Sequence, residues 1–269
     1  MKIFKSFNIL NKEINFNEKV GFVPTMGALH SGHLNLIKEA KKKTKKVLVS
    51  IYVNPTQFNN KKDFQNYPRN FNKDIIILKK HKVDYLFIPN HKEIYKNGII
   101  KKFKIFKKDK VLCAKSRNGH FEGVLTVVNR FMHEIKSKYI FFGNKDFQQV
   151  YLIKKYLQDK FDTKIKICKT IRNKNKLPLS SRNILLSNSS LKRSEKISNL
   201  LFNFKNKILK KAKNVKLKNS YKKKIIKLCD KLEYFEIRNS GNLSSNIDKK
   251  KFKIFVAYYQ KNVRLIDNV

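Results

Sequence analysis

Short apolar runs alternate with longer stretches of helical spacing through the first two-thirds of the chain, and this alternation limits the fold more than any other feature. The runs Gly21–Pro24, Val47–Val53, Tyr85–Ile88, Tyr139–Gly143 and Lys164–Cys168 are rich in Val, Ile, Tyr and Phe and predict short buried strands. Between them, His33–Lys43, Phe71–His81, Gly123–Ile135 and Gln148–Leu157 carry helical periodicity. Strands alternating with helices of this length predict βαβ units and a parallel sheet, so the fold class is α/β. Ligands of such sheets bind beyond the carboxyl ends of the strands. Polar residues directly after a strand are therefore the first candidates for function.

Past Asn183 the pattern changes. The stretch from Ile184 to about Leu232 is Lys/Ser/Asn-rich with helical spacing, and strand-like runs follow at Tyr234–Ile237, Phe252–Tyr259 and Val263–Ile266. This predicts a first domain over residues 1–183 and a smaller α+β domain over 184–269. No stretch approaches the roughly 18 apolar residues of a membrane span, and Met1–Leu10 is too broken by Lys and Asn to be a secretory signal. Cys113, Cys168 and Cys229 lie far apart, which argues against a disulfide framework or a metal cluster and for a reducing, cytoplasmic setting. The formal charge is +44, from 63 Lys and Arg against 19 Asp and Glu. Clustered cations bind nucleic acid, but here the lysines are spread along the whole length and greatly outnumber the arginines. With Lys, Asn, Ile, Phe and Tyr all abundant and Trp absent, compositional drift explains the charge, and no specific nucleic-acid partner is expected.

Four segments at strand ends or in loops carry candidate chemistry. In Gly21-Phe-Val-Pro-Thr-Met-Gly-Ala-Leu-His30-Ser-Gly-His33 a strand runs through a glycine turn into a helix. Backbone N–H groups and the positive helix end there suit a phosphate, Gly32 would allow close approach, and His30 and His33 share a face of the opening turn. Asn54-Pro-Thr-Gln57 follows the second strand, where Gln57 could bind a small polar substrate through both faces of its amide. Gly143-Asn144-Lys145-Asp146, with Gln148 and Gln149 beyond it, offers a point charge for phosphate and an acceptor for ribose hydroxyls. Leu179-Ser180-Ser181-Arg182-Asn183 suits a loop closing over a triphosphate. Each has an ordinary reading as well: capping histidines, a solvated loop amide, a helix capped by Asp146, and a polar linker.

Taken in order, these segments resemble the pantothenate synthetase (pantoate–β-alanine ligase) family. Val53–Phe58, Tyr67-Pro-Arg69, Gly119-His-Phe121 with Gly123, Thr126-Val-Val128 and Arg264–Asn268 extend the resemblance over essentially the whole chain. It implies a Rossmann-like nucleotidyltransferase-type domain, a smaller C-terminal lid domain, and a homodimer. It also implies ligation of pantoate to β-alanine through a pantoyl adenylate, with ATP and Mg²⁺. Carried over by motif, Met26, Gly27, Ala28, Leu29, His30, Ser31, Gly32 and His33 line the ATP site, with His33 the favoured proton donor. Gly143, Asn144, Lys145, Asp146, Ile171, Leu179, Ser180, Ser181 and Arg182 complete that site, and His30, His33 and Lys145 are the catalytic candidates. Gln57 and Gln149 would hold pantoate. No protein nucleophile is implied, so catalysis would be positioning plus electrostatics.

Three departures stand out. The family usually has Glu where this chain has Asn144; Asn173–Lys176 replaces an acidic, glycine-containing loop; and an acidic pair is reduced to Lys73-Asp74, which leaves the Mg²⁺ ligands unassigned. All three follow the Lys/Asn drift and read as an eroded but active enzyme. The alternatives are a different nucleotidyltransferase acting on a phosphate-bearing substrate, and a basic RNA-binding protein. The neutral amides Gln57 and Gln149 argue against the first, since they suit a carboxylate and hydroxyls better than a dianion.

Overall fold

The structure, a computed structural model, describes residues 1–95, 103–210, 215–247 and 251–269. In chain order these form β1 (Lys2–Phe4), α1 (Phe7–Glu13), β2 (Val20–Thr25), α2 (Ser31–Lys41), β3 (Lys46–Ile51), α3 (Lys61–Gln65), α4 (Phe71–Lys80), β4 (Tyr85–Phe87) and α5 (His91–Ile94). Then come α6 (Cys113–Ser116), α7 (His120–Glu134), β5 (Tyr139–Gly143), α8 (Phe147–Leu157), β6 (Lys164–Cys168), α9 (Asn188–Lys210), α10 (Val215–Ile226), β7 (Lys231–Asn239), β8 (Phe252–Gln260) and β9 (Val263–Asn268). None of the helices among the described residues is long and apolar enough to cross a membrane.

By packing the chain divides into two units, Met1–Phe106 with Arg117–Thr170, and Lys107–Ser116 with Ile171–Val269. The division falls before Ile171, whereas the change of sequence character is legible only at residue 183. It also places residues 107–116, embedded in the first part of the sequence, with the second unit.

The first unit is built on a parallel sheet in the order β1-β4-β3-β2-β5-β6. Its central strands β2, β3 and β5 read as near-continuous apolar runs because helices cover both faces. Val23, Val47, Val49, Leu86 and Phe141 pack with Leu36, Ile37 and Ala40 of α2 and Leu78 of α4. Elsewhere Phe7 of α1, Phe22, Phe87 and Phe131 of α7 form an edge-to-face and tilted aromatic cluster. Each fully buried Leu, Ile or Phe contributes about 1.5–3 kcal/mol of transfer free energy.

All five sequence-read strands of this unit are present. β1, only three residues long and exposed at two of them, shows no periodicity to read. The order matters for function. The chain passes from β2 outward to β3 and β4, then returns to the other side of β2 with β5 and β6. The reversal between β2 and β5 is the point where a parallel sheet opens a crevice at its carboxyl edge.

The second unit packs α9 and α10 on the antiparallel sheet β7-β8-β9. Ile197, Leu201, Phe204 and Ile208 recur at helical spacing along α9 and meet Tyr221 and Ile225 of α10, and Phe235, Ile254, Val256 and Tyr258 of the strands. The α+β expectation holds. At its base the buried Asp267 accepts both arms of Arg172, at 2.7 and 2.9 Å, together with the Ser198 hydroxyl at 3.0 Å.

Candidate active site

The first segment lies at the carboxyl end of β2, on the β5 side of which the chain reverses. Thr25, the last residue of β2, donates to the Ser50 carbonyl of β3 at 2.7 Å and accepts from Gly27 N at 3.2 Å. Gly27 (φ 78°) and Ala28 (φ 48°) are both left-handed, and a Cβ on Gly27 would stand 3.0 Å from Asp74 Oδ2. Ala28 N and Leu29 N each donate to a different oxygen of Asp74, both at 2.8 Å.

His30 then caps α2. Its Nδ1 accepts from Gly32 N at 3.0 Å, while His33 Nδ1 accepts from His30 N at 3.3 Å, and the rings sit 4.2 Å apart. A ring nitrogen that accepts cannot carry the proton, so each imidazole is fixed as the Nε2–H tautomer. Neither Nε2–H has a partner among the described residues. Burial first, and the Lys145 ammonium second, lower His30 to about pKa 4; burial, His30 and Lys145 lower His33 to about 3. At neutral pH both are uncharged hydrogen-bond donors. The expectation of His33 as a proton donor narrows accordingly, to donation of a hydrogen bond.

Two further details of the sequence reading change. The amides of Gly27, Ala28, Leu29, His30 and Gly32 are all engaged by protein side chains, so the turn does not present them to a phosphate. Its donors are the two imidazoles. Gly32 likewise serves the protein: a Cβ there would meet the His30 ring at 2.7 Å, so glycine makes room for the capping imidazole.

The third segment follows β5. Asn144–Asp146 form one turn of 3₁₀ helix, and Lys145 Nζ donates to Asp146 Oδ1 at 3.0 Å. Asp146 therefore makes no side-chain cap on α8, which removes its ordinary reading. Space where a Cβ of Gly143 would point is open to at least 4 Å.

Gln57 and Gln149 flank the turn after β2, since the first follows β3, the second opens α8 after β5, and the sheet order is β3-β2-β5. Both are half-buried, and neither side-chain amide has a partner among the described residues. Gln57 is instead fixed by its backbone. Its carbonyl accepts from Arg117 at 2.9 Å and from His120 Nδ1 at 2.7 Å. Upstream, buried Asn54 accepts from Thr56 N and the Tyr95 hydroxyl and donates to the Gly123 carbonyl. A Cβ on Gly123 would come within 2.9 Å of the Thr56 carbonyl, which explains the glycine in the first turn of α7. Arg117 and Tyr95 carry no signal of their own in the sequence, because their partners are 60 and 41 residues away. Asp74 reads there only as the remainder of an acidic pair, because the amides it accepts from are 45–46 residues away.

Ile171 and Leu179–Arg182 belong to the second unit. Leu179 N donates to the Ile171 carbonyl at 2.9 Å, closing a hairpin around Asn173–Lys176. That stretch, read as drift, is built: Asn173 and Asn175 donate to the two carboxylate oxygens of Glu195, and Asn173 Oδ1 accepts from the amides of residues 175 and 177. Ser180 caps the following 3₁₀ turn through Arg182 N, with Asn183 accepting from Ser180 N in return. The ordinary capping role of this motif is therefore present.

The pantoate-beta-alanine ligase family matches residues 2–269. The chain belongs to that family. A pantothenate synthetase of Francisella tularensis subsp. mediasiatica is 41% identical over 98% of this chain and 94% of its own length. The crystal structure of pantothenate synthetase from Thermus thermophilus superposes with a TM-score of 0.92 at 29% identity, covering 100% of this chain and 99% of the other. Pantoate-beta-alanine ligase from Francisella tularensis, solved in complex with beta-gamma ATP and beta-alanine, gives a TM-score of 0.83 at 39% identity, over 100% of this chain and 97% of that one. Membership of the ligase family gives the strand-end residues their context: the two histidines, Lys145, Gln57 and Gln149 all stand at the carboxyl edge of one sheet.

Proposed function

We propose that this chain ligates pantoate to β-alanine in two steps. A pantoate carboxylate oxygen bonds to the α-phosphorus of ATP as the Pα–O–Pβ bond breaks, giving pantoyl adenylate and pyrophosphate. The β-alanine amine then bonds to the acyl carbon, AMP leaves, and the amine gives up a proton. The observation that carries the reading is the pair of neutral, unpartnered Nε2–H donors locked at the β2 crevice.

His30, His33 and Lys145 would hold the phosphates and stabilise charge as pyrophosphate departs. Asp146 and the open side of Gly143 suit the ribose, and the half-buried amides of Gln57 and Gln149 suit the hydroxyls and carboxylate of pantoate. Ile171 and Leu179–Arg182 are assigned to the nucleotide by their match to the family motif. The same resemblance supports a cytoplasmic homodimer. For Mg²⁺ the donor set decides the fit. Both oxygens of Asp74 are taken by backbone amides, Asp146 pairs with Lys145, and no three His, Cys, Asp or Glu residues cluster among the described residues. That suits Mg²⁺ brought in on the ATP phosphates with water in its shell, where it would neutralise phosphate charge, with Asp146 the protein carboxylate beside Lys145.

ATP–pyrophosphate exchange tests the reading. Exchange should require pantoate and proceed without β-alanine, which should be needed only for net AMP release. Equal AMP formation with and without pantoate would refute it.

Replacing Gln57 or Gln149 by Leu should raise the pantoate KM or lower kcat by about 10-fold or more, with little change in ATP affinity, because only one substrate loses hydrogen-bond partners. If ATP binding weakened as much as pantoate binding, the two amides would not form a pantoate pocket.

A further inference from the structure

We propose that Asp74 of α4 is a positioning residue for the phosphate-binding turn, and that its carboxylate acts through the backbone of Ala28 and Leu29, without touching nucleotide or metal. The inference deepens the nucleotide reading above and rests on it.

The carboxylate is 2% exposed, and each of its oxygens takes one amide at 2.8 Å. Those amides belong to the end of a left-handed pair, Gly27 and Ala28, and for Ala28 that conformation is unfavourable without outside support. The support is rigid. Asn70 caps α4 through Lys73 N at 3.0 Å, and Leu78, one turn on, is fully buried. One residue past the Asp74 contacts the chain reaches His30, whose cap fixes both imidazole tautomers. Asp74 thus sets the direction in which the donors of the site leave the sheet.

Its charge works the other way. A carboxylate behind a turn that accepts a polyphosphate repels the ligand, and burial already pushes the Asp74 carboxyl above its ordinary pKa. Charge and geometry therefore predict opposite signs for Asp74→Asn. The variant removes the negative charge, which alone would tighten ATP binding. It also turns an amide N–H toward a backbone N–H, which would release the turn.

The experiment measures ATP affinity calorimetrically, with Mg²⁺ and in chelator, and reads the His30 and His33 tautomers by ¹⁵N NMR, with thermal unfolding to verify the fold. Asp74→Asn should weaken ATP binding about 10-fold or more in both conditions, as expected for losing an oriented donor set, leave pantoate affinity within about 2-fold, and convert the fixed Nε2–H tautomers to mixtures. Unchanged or tighter ATP binding with unchanged tautomers would overturn the inference. So would a loss confined to Mg²⁺ conditions, which would mark a metal ligand. If the parent protein failed to bind ATP, the nucleotide reading would fall, while the tautomers would still decide the role of Asp74. Should Asp74→Asn not fold, Gly27→Ala presses on the same contact from the other side, with its Cβ 3.0 Å from Asp74 Oδ2, and should move both readouts the same way.

Discussion

His33→Ala slows pantoate-dependent pyrophosphate release in a single turnover by about 10²-fold or more, the usual effect of deleting one preorganised donor aimed at developing charge. Lys145→Ala is expected to do the same. The reason lies in how the histidine is held. Its Nδ1 accepts from His30 N, so the Nε2–H that remains has one orientation and no competing partner among the described residues. A donor fixed before the reaction needs no reorganisation as charge moves onto the leaving pyrophosphate.

His33→Ala also removes one half of the cap on α2, at a stability cost of about 0.5–2 kcal/mol, so unfolding must be measured alongside. The two effects separate, because a loosened cap alone would not depress the chemical step by two orders of magnitude. A pH profile adds an independent check. With His30 near pKa 4 and His33 near 3, neither ring gains a proton until the pH falls well below 6.5. Any acid limb due to these rings should therefore lie near pH 4. A rate that fell through a midpoint near 6.5, with that midpoint lost in His33→Ala, would show a charged imidazole at work and contradict the locked neutral pair.

Asp267→Ala destabilises the second unit by about 3–5 kcal/mol, the cost of leaving a partly buried cation without its partner. Asp267 accepts four hydrogen bonds: two from Arg172, one from the Ser198 hydroxyl and one from Asn268 N at 2.7 Å. Arg172 itself begins the hairpin whose far side leads to Leu179 and Ser180. Denaturant unfolding should show the loss as a lower midpoint with an unchanged slope. Adding Arg172→Met to Asp267→Ala should recover part of it, because the isolated charge is then gone. A single-variant loss below about 1 kcal/mol would mean that water reaches Arg172 and that the pair is worth no more than a surface ion pair.

The sequence by itself determined the parallel sheet and the strand ends that carry the site. Buried strands flanked by helices must be apolar on both faces, and the runs at 47–53 and 139–143 can do little else. The family motifs placed His30, His33, Lys145, Gln57 and Gln149 at those ends in the correct order. Sequence also showed where helical spacing gives way to the antiparallel strands of the second unit.

What the sequence left undecided are the relations between residues far apart in the chain. Asp74 reads as the remnant of an acidic pair beside a metal; only packing of α4 against the sheet brings its oxygens to Ala28 and Leu29. Asn173 and Asn175 read as drift until Glu195 is placed opposite them. The glycine of the two-histidine motif reads as an approach for phosphate, whereas the His30 ring fills the space above it. Local periodicity follows from the covalent chain and the apolar surface it must bury. Which donor meets which acceptor depends on where folding brings separate segments, and that decides which polar groups are spent on the protein and which remain for a substrate.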